Sequence, residues 1–376
     1  MKKKVTLLIL LSILLCMMLS VAMNGCGTEE APPTTAPTEA PTEAPTEAPT
    51  EAPTEAPTEA PTEPEDTTIR HPLTGEVLEE PETGRIFAVT INNVSAAVPH
   101  VGVNDADLFF EMYINDYCTR GLAMFTDIDE VPEIGSVRST RYNFTDLAIS
   151  YDAFVAHAGG SDQVLSDAKK EGIDHKNIDT SSTNTSSGYS FRSNARRSAG
   201  IGYVHCLMAN GTGLYDWAKE KGYTVEYDEP RTYGLKFAED GTPAGGEDAA
   251  SVNIKFRLDG TSKTTTMVYN AESGKYVFNE YGKSLVDGNT GDDEAFTNVF
   301  VLMIPCKTQG KYHVYNLDGS GEGYYACGGK LIPIQWHHEN EEDPITFTLA
   351  DGTPLAQGVG NSYIAFAPTI SDISWK

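Results

Sequence analysis

Between Ile69 and Ala168 the chain contains no lysine, only Arg70, Arg85, Arg120, Arg138 and Arg141. Bases are scarce throughout: 27 Lys and Arg stand against 54 Asp and Glu, a formal charge of −27 over 376 residues. A surface so acidic repels nucleic acid and anionic headgroups, so partners held by counterion release are excluded. Cysteine is also sparse. There are six, none arranged as C-x-x-C, which excludes a zinc ribbon. Cys118, Cys206, Cys306 and Cys327 are widely spaced in a large body and are expected to be free, mostly buried thiols. No P-loop, no H-E-x-x-H and no G-x-S-x-G around Ser161 occurs. From residue 27 to residue 68 there is no aromatic and no large aliphatic residue, hence nothing to bury.

What is present sets the compartment. Lys2, Lys3 and Lys4 precede a mostly apolar run from Val5 to Leu19, the pattern of a secretory signal over residues 1–25. Small Gly25 before Cys26 resembles a bacterial lipobox. A lipidated Cys26 would hold the chain on the extracytoplasmic face of the membrane, since diacylation supplies the two hydrocarbon chains that stable anchoring needs. Residues 26–68 form a linker in which the unit Ala-Pro-Thr-Glu recurs seven times from Ala36 to Glu63. Proline in every unit stiffens it toward polyproline II without ordering it. These 28 residues span about 87 Å if fully extended. The expectation is a disordered stalk.

The body divides by pattern. Residues 69–230 mix strands and helices. "RIFAVTINN" reads as a strand, and "DLFFEMYI" and "TRGLAMFT" flank a hairpin turn at Asn115-Asp116-Tyr117. Phe144, Leu147, Ala148 and Tyr151 give one helical face, "AFVAH" is a short buried strand, and Gly172 and Gly222 stop two further helices. "STNTSSGYS" is a polar loop. From about Arg231 to Lys376 strand-like runs alternate with Gly, Asp and Asn turns. The fold class expected is α+β: a mixed α/β domain over 69–230, then a mainly β domain over 231–376.

Two arginines pose the functional question. Arg138 and Arg141 stand where the Phe144 helix begins, and share a face if its first turn reaches them. The positive end of a helix disfavours cations, so the pair implies an acidic partner. Arginine is used where a planar, two-pronged grip on carboxylate or phosphate matters. The acid is either internal, with Asp107 or Asp146 as sources, or it belongs to a ligand, with His157 and Ser161 beside it. A hairpin register centred on Asp116 is expected to put Glu111 and Arg120 on one side, within ion-pair reach. "FRSNARRS" adds Arg192, Arg196 and Arg197.

"HPLTGEVLEE", "ADLFFEMYINDYCTRGLAMF", "GSVRSTRYNFTDLA" and "HAGGS" occur in this order, followed by "NVFVLMI", "LDGSGEGYYACGGKLIPIQW" and "ADGTPLAQGVGNSYIAFAP". Together they resemble the YerB-like lipoproteins of Gram-positive bacteria, built from a two-part domain of unknown function. The resemblance covers nearly all of Arg70 to Lys376. It implies the two-part architecture and the lipoprotein habit, and brings no activity. The chain departs from the family's Pro-His-Asn with "YVHCLMANG".

Enzyme signatures are thin. His205 and Cys206 are adjacent, a poor geometry for a catalytic couple, and are expected in the core. His337 and His338 in a strand face apart, so they form no metal grip. "DGNTGDDE" and "DGSGEG" lack calcium-loop spacing and read as solvated turns. No cofactor and no metal are implied. The favoured reading is a non-catalytic envelope protein with an arginine-lined anion site, its partner a cell-wall component or an envelope protein. The alternative is a wall-modifying hydrolase or transferase with His157 as base.

Overall fold

In the computed structural model the described residues are 68–115, 117–179 and 187–376. The signal segment, Cys26, the stalk and most of the polar loop lie outside them. No helix among the described residues is long and apolar enough to cross a membrane.

Strands dominate, with few helices. Strand β1 (Phe87–Asn93) pairs antiparallel with β3 (Cys118–Phe125), which pairs with β2 (Leu108–Asn115) in a register of Glu111 with Gly121 and Met112 with Arg120. All seven residues of β1 are buried, so this part of the sheet is covered on both faces. Gly121 makes the covering tight. A Cβ there would lie 2.3 Å from Phe109 Cζ.

The sheet does not stop at the first part. β2 lies parallel to Ser362–Pro368, which lies parallel to Asn298–Ile304. Gly319–Cys327 and Lys330–His338 extend the same 11-stranded sheet, while Phe154–His157 and His175–Asn177 extend it on the other side of β1. A second sheet runs Lys275–Glu280, Thr261–Asn270, Ser251–Leu258, Asp372–Trp375. Phe109 and Tyr363 of the large sheet meet Phe278 of the second at 6.0 and 5.5 Å between ring centroids. Burial of such rings is the main stabilisation between the sheets.

Helix α1 (Tyr142–Ser150) buries Phe144, Leu147 and Ala148, the face read from the sequence. Its first residue is Tyr142, and Arg141 stays extended at φ −136° and ψ 167°. The first turn therefore does not reach the two arginines. Cys118, Cys206, Cys306 and Cys327 are all free, though only Cys206 and Cys327 are buried.

Candidate functional site

The segment Ser136 to Thr140 is laid against β1 and the Phe154–His157 strand by its main chain. Arg138 N–H donates to Thr90 O at 3.0 Å, Ala158 N–H donates to Arg138 O at 2.8 Å, and Thr140 N–H donates to Gly159 O at 3.0 Å. This fixes the backbone of Arg138, while Arg141 O accepts from Phe144 N–H at 3.1 Å and Thr145 N–H at 3.2 Å, and the side chains are left to the surroundings. Arg120 Nη1 donates to Ser139 O at 2.7 Å, and Arg141 Nη1 to Thr140 O at 2.7 Å. The guanidinium of Arg138 makes no hydrogen bond or ion pair among the described residues.

No carboxylate answers these three cations among the described residues. Arg70, Arg85, Arg192 and Arg257 each hold an acid within 3.0 Å, and Arg231 pairs with Asp152. Arg196 is absorbed by the carbonyls of Pro99, Ala97 and His205. Asp107, one internal acid the sequence offered, is taken by Thr126 and faces His71, and Asp146 is taken by Asn143. Among the described residues Arg120, Arg138 and Arg141 retain a buried Nε–H with no partner, as Arg192 does, but unlike Arg192 they have no carboxylate on their other nitrogens. Burial, then the nearby charge of Arg141, pushes the Arg120 guanidinium down to about 9. Burial also lowers Arg141. At about 9, Arg120 remains a cation at neutral pH. An uncompensated cation is costly where it is buried, and here one buried and two partly buried guanidinium groups leave positive charge unbalanced among the described residues.

Glu111 is not part of this place. It pairs across the hairpin with Gly121, so period-two alternation sends it and Arg120 to opposite faces. The expected Glu111–Arg120 ion pair does not form. Glu111 lies between the sheets with Lys263 and Glu280, all buried. Lys263 Nζ is 2.6 Å from Glu280 Oε1 and 3.4 Å from Glu111 Oε1. Thr265 Oγ1 and Asn93 Nδ2 bond to both carboxylates, and Tyr363 donates to Glu111. Two carboxylates share one lysine. Burial pushes Glu280 up to about 7, although Lys263 pulls it down, and Glu280 Oε2 has no partner.

His157 and Ser161 are also committed. Gly159 O can only accept, so His157 Nδ1 carries the proton of their 2.9 Å bond, and Nε2 accepts from His175 Nδ1 at 2.9 Å. Burial and then His175 lower His157 to about 4. Ser161 Oγ caps a helix by accepting from Val164 N–H at 3.2 Å.

Several groups were not legible as partners. Asp287, read as part of a solvated turn, is fully buried and accepts N–H bonds from Gly102, Val103 and Asn104 at 3.2, 2.6 and 3.1 Å. Glu294 of the same stretch is buried against His100 at 2.9 Å. His205 is not core: it is half-exposed in a 3-10 turn and accepts from Asn92 Nδ2 at 2.8 Å, while Cys206 is buried. His71, Glu82 and Asp127 bring one potential ligand atom each within 4.8 Å of one another. The donor set does not fit a cation. His71 Nδ1 already accepts from Thr74 N–H at 3.1 Å, so Nε2 bears the proton and donates to Thr126 Oγ1 at 2.9 Å.

The N-terminal domain of the protein of unknown function DUF3048 matches residues 73–224, and its C-terminal domain matches residues 252–364. The chain is 26% identical over 324 residues to "Putative lipoprotein YerB" of Bacillus subtilis, covering 81% of this chain and 88% of that protein. The crystal structure of YerB from Bacillus subtilis matches with a TM-score of 0.69 at 22% identity, over 81% of this chain and 99% of that one. That likeness is one of fold.

Proposed function

The chain belongs to the DUF3048 family, through both its N-terminal and C-terminal domains, and from that premise we propose that it is a lipid-anchored, non-catalytic binding protein of the cell envelope. Cys26 is the anchor, residues 27–68 are the stalk, and the body is held on the extracytoplasmic side. The anchor is supported by the basic start, the apolar run, Gly25-Cys26 and the lipoprotein relative. The ligand is an anion gripped by Arg120, Arg138 and Arg141. One observation carries this: among the described residues Arg120, Arg138 and Arg141 each have a buried Nε–H without an acceptor and no carboxylate on any nitrogen, whereas Arg192, whose Nε–H is also unpaired, and four other arginines have carboxylates. A cell-wall component or an acidic segment of an envelope protein would present such an anion. The hydrolase alternative has less support, because both ring nitrogens of His157 are engaged and the one that accepts does so from His175.

Thermal melts of the protein and of Arg138→Gln, with and without phosphate, test the reading. Removing one of three crowded cations should leave the ligand-free midpoint equal or higher, and phosphate should raise only the unsubstituted protein. A large drop in the ligand-free midpoint, with no phosphate effect in either protein, would make the cluster scaffold.

A further inference from the structure

The arginine site adjoins a cavity of about 490 Å³ to which both parts of the chain contribute. Asn115 and Arg141 line it from the first part, and Thr308, Lys311 and Tyr312 from the second. Those last three belong to a hairpin of Cys306–Gln309 and Tyr312–Tyr315 that stands apart from the two main sheets. The hairpin is pinned to α1. Asn143 accepts from Tyr315 N–H and donates to Tyr315 O, both at 2.9 Å, and His313 stacks on Tyr113 at 5.2 Å. Its tip therefore has a defined place over Arg141. Arg141 lies 4.8 Å from the centroid of the Tyr312 ring, and Lys311 Nζ lies 5.3 Å from the same centroid. Lys311 is exposed and has no ion pair among the described residues. Asp259, the one carboxylate lining the cavity among the described residues, is engaged by the Thr308 hydroxyl.

We propose that this site takes an anion of two or more charges, of phosphate type, held by Arg120, Arg138 and Arg141 from one part and Lys311 from the other. The inference rests on the anion-binding reading and narrows it. A single carboxylate would leave at least two of the three guanidinium charges uncompensated in a partly buried place. It also offers only two oxygens, too few for three planar donor forks and an ammonium. A phosphate group spreads its oxygens tetrahedrally and carries more charge, so several donors reach it at once. The hairpin makes the site bipartite, so the two parts together read the ligand.

Isothermal titration of the full chain in neutral detergent, at one ionic strength, tests this with pyrophosphate and acetate. Pyrophosphate should bind about tenfold more tightly than acetate or better. Lys311→Ala should weaken pyrophosphate about threefold, the effect of one exposed charge contact, and leave acetate unchanged. Arg138→Gln, whose guanidinium bonds to nothing described, should fold and weaken both anions. Glycerol phosphate and a short-chain phosphatidate separate the sources. Equal binding of the two supports a site that reads phosphate alone, and binding of phosphatidate only supports a lipid-borne phosphate. Acetate and pyrophosphate bound equally, both weakened by Arg138→Gln, would overturn the charge class and keep the anion site. Absence of binding by any of these anions would overturn both.

Discussion

Replacing Lys263 by Met removes the one cation between two buried carboxylates and keeps most of the stem's volume. Glu111 is 0% exposed and Glu280 2% exposed. Breaking a buried pair by deleting one partner typically costs about 3–5 kcal/mol, because the charge left behind has neither water nor counterion. Part of that cost can be avoided by protonation. Glu280 already has its carboxyl pushed up to about 7 by burial. The loss from Lys263→Met should therefore be smallest in mild acid and grow as pH rises, by up to ~1.4 kcal/mol per pH unit. Glu280→Gln is the complement. It leaves Lys263 and Glu111 as a balanced pair, so it should be near neutral or stabilising at pH about 8. The sign for the unsubstituted protein follows from linkage. Glu280 sits above the ordinary glutamate value of 4.5, so the folded state keeps a proton that the unfolded state releases. Its contribution is full below about 4.5 and is lost as pH rises through about 7, a change on the order of 3 kcal/mol. Urea unfolding followed by tryptophan fluorescence between pH about 5 and 8 measures it, with the Glu280→Gln curve subtracted to remove other groups. A Lys263→Met protein within ~1 kcal/mol of the parent at pH 8, or an unchanged pH slope in Glu280→Gln, would refute the reasoning.

Other outcomes follow from the same geometry. Gly121→Ala should cost roughly 1–3 kcal/mol, because its Cβ has no room beside Phe109; chemical denaturation checks it. Asp287→Ala should cost at least ~2 kcal/mol by orphaning three N–H groups, two of them buried, and amide exchange from Gly102 to Asn104 should quicken selectively. Cys26→Ala should move the protein from the membrane fraction to the medium; retention with unchanged processing would contradict the anchor.

Much of this fold is legible locally. The face of Phe144, Leu147 and Ala148, the short strand ending at His157, and the glycine stops at Gly172 (φ +74°) and Gly222 (φ +80°) all stand where their spacing puts them. Long-range pairing is not legible. Nothing in "SYIAFA" says that it lies parallel to β2, because alternation fixes which face a residue takes but not which strand is its neighbour. The same parity decides the hairpin. A register centred on Asp116 pairs Glu111 with Gly121, so Arg120 belongs to the other face. Lys263 and Glu280 carry no mark of their shared burial with Glu111, since a lone charge in a strand reads as solvent-facing. The lysine-free stretch and the arginine pair posed the question of an acidic partner, internal or bound. What local sequence could not tell is that no internal acid among the described residues reaches them.

The central claim is a prepared anion site, and its most direct measurement is the NMR of the arginine Nε–H groups. Buried Nε–H protons of Arg120, Arg138 and Arg141 exchange slowly enough to be followed while phosphate is added at constant ionic strength. The account predicts that these three shift together to a plateau, as acceptors reach donors that have none, while Arg257, already paired with Asp372, stays in place. Shifts that grow linearly without a plateau, equal for Arg138 and Arg257, would contradict it.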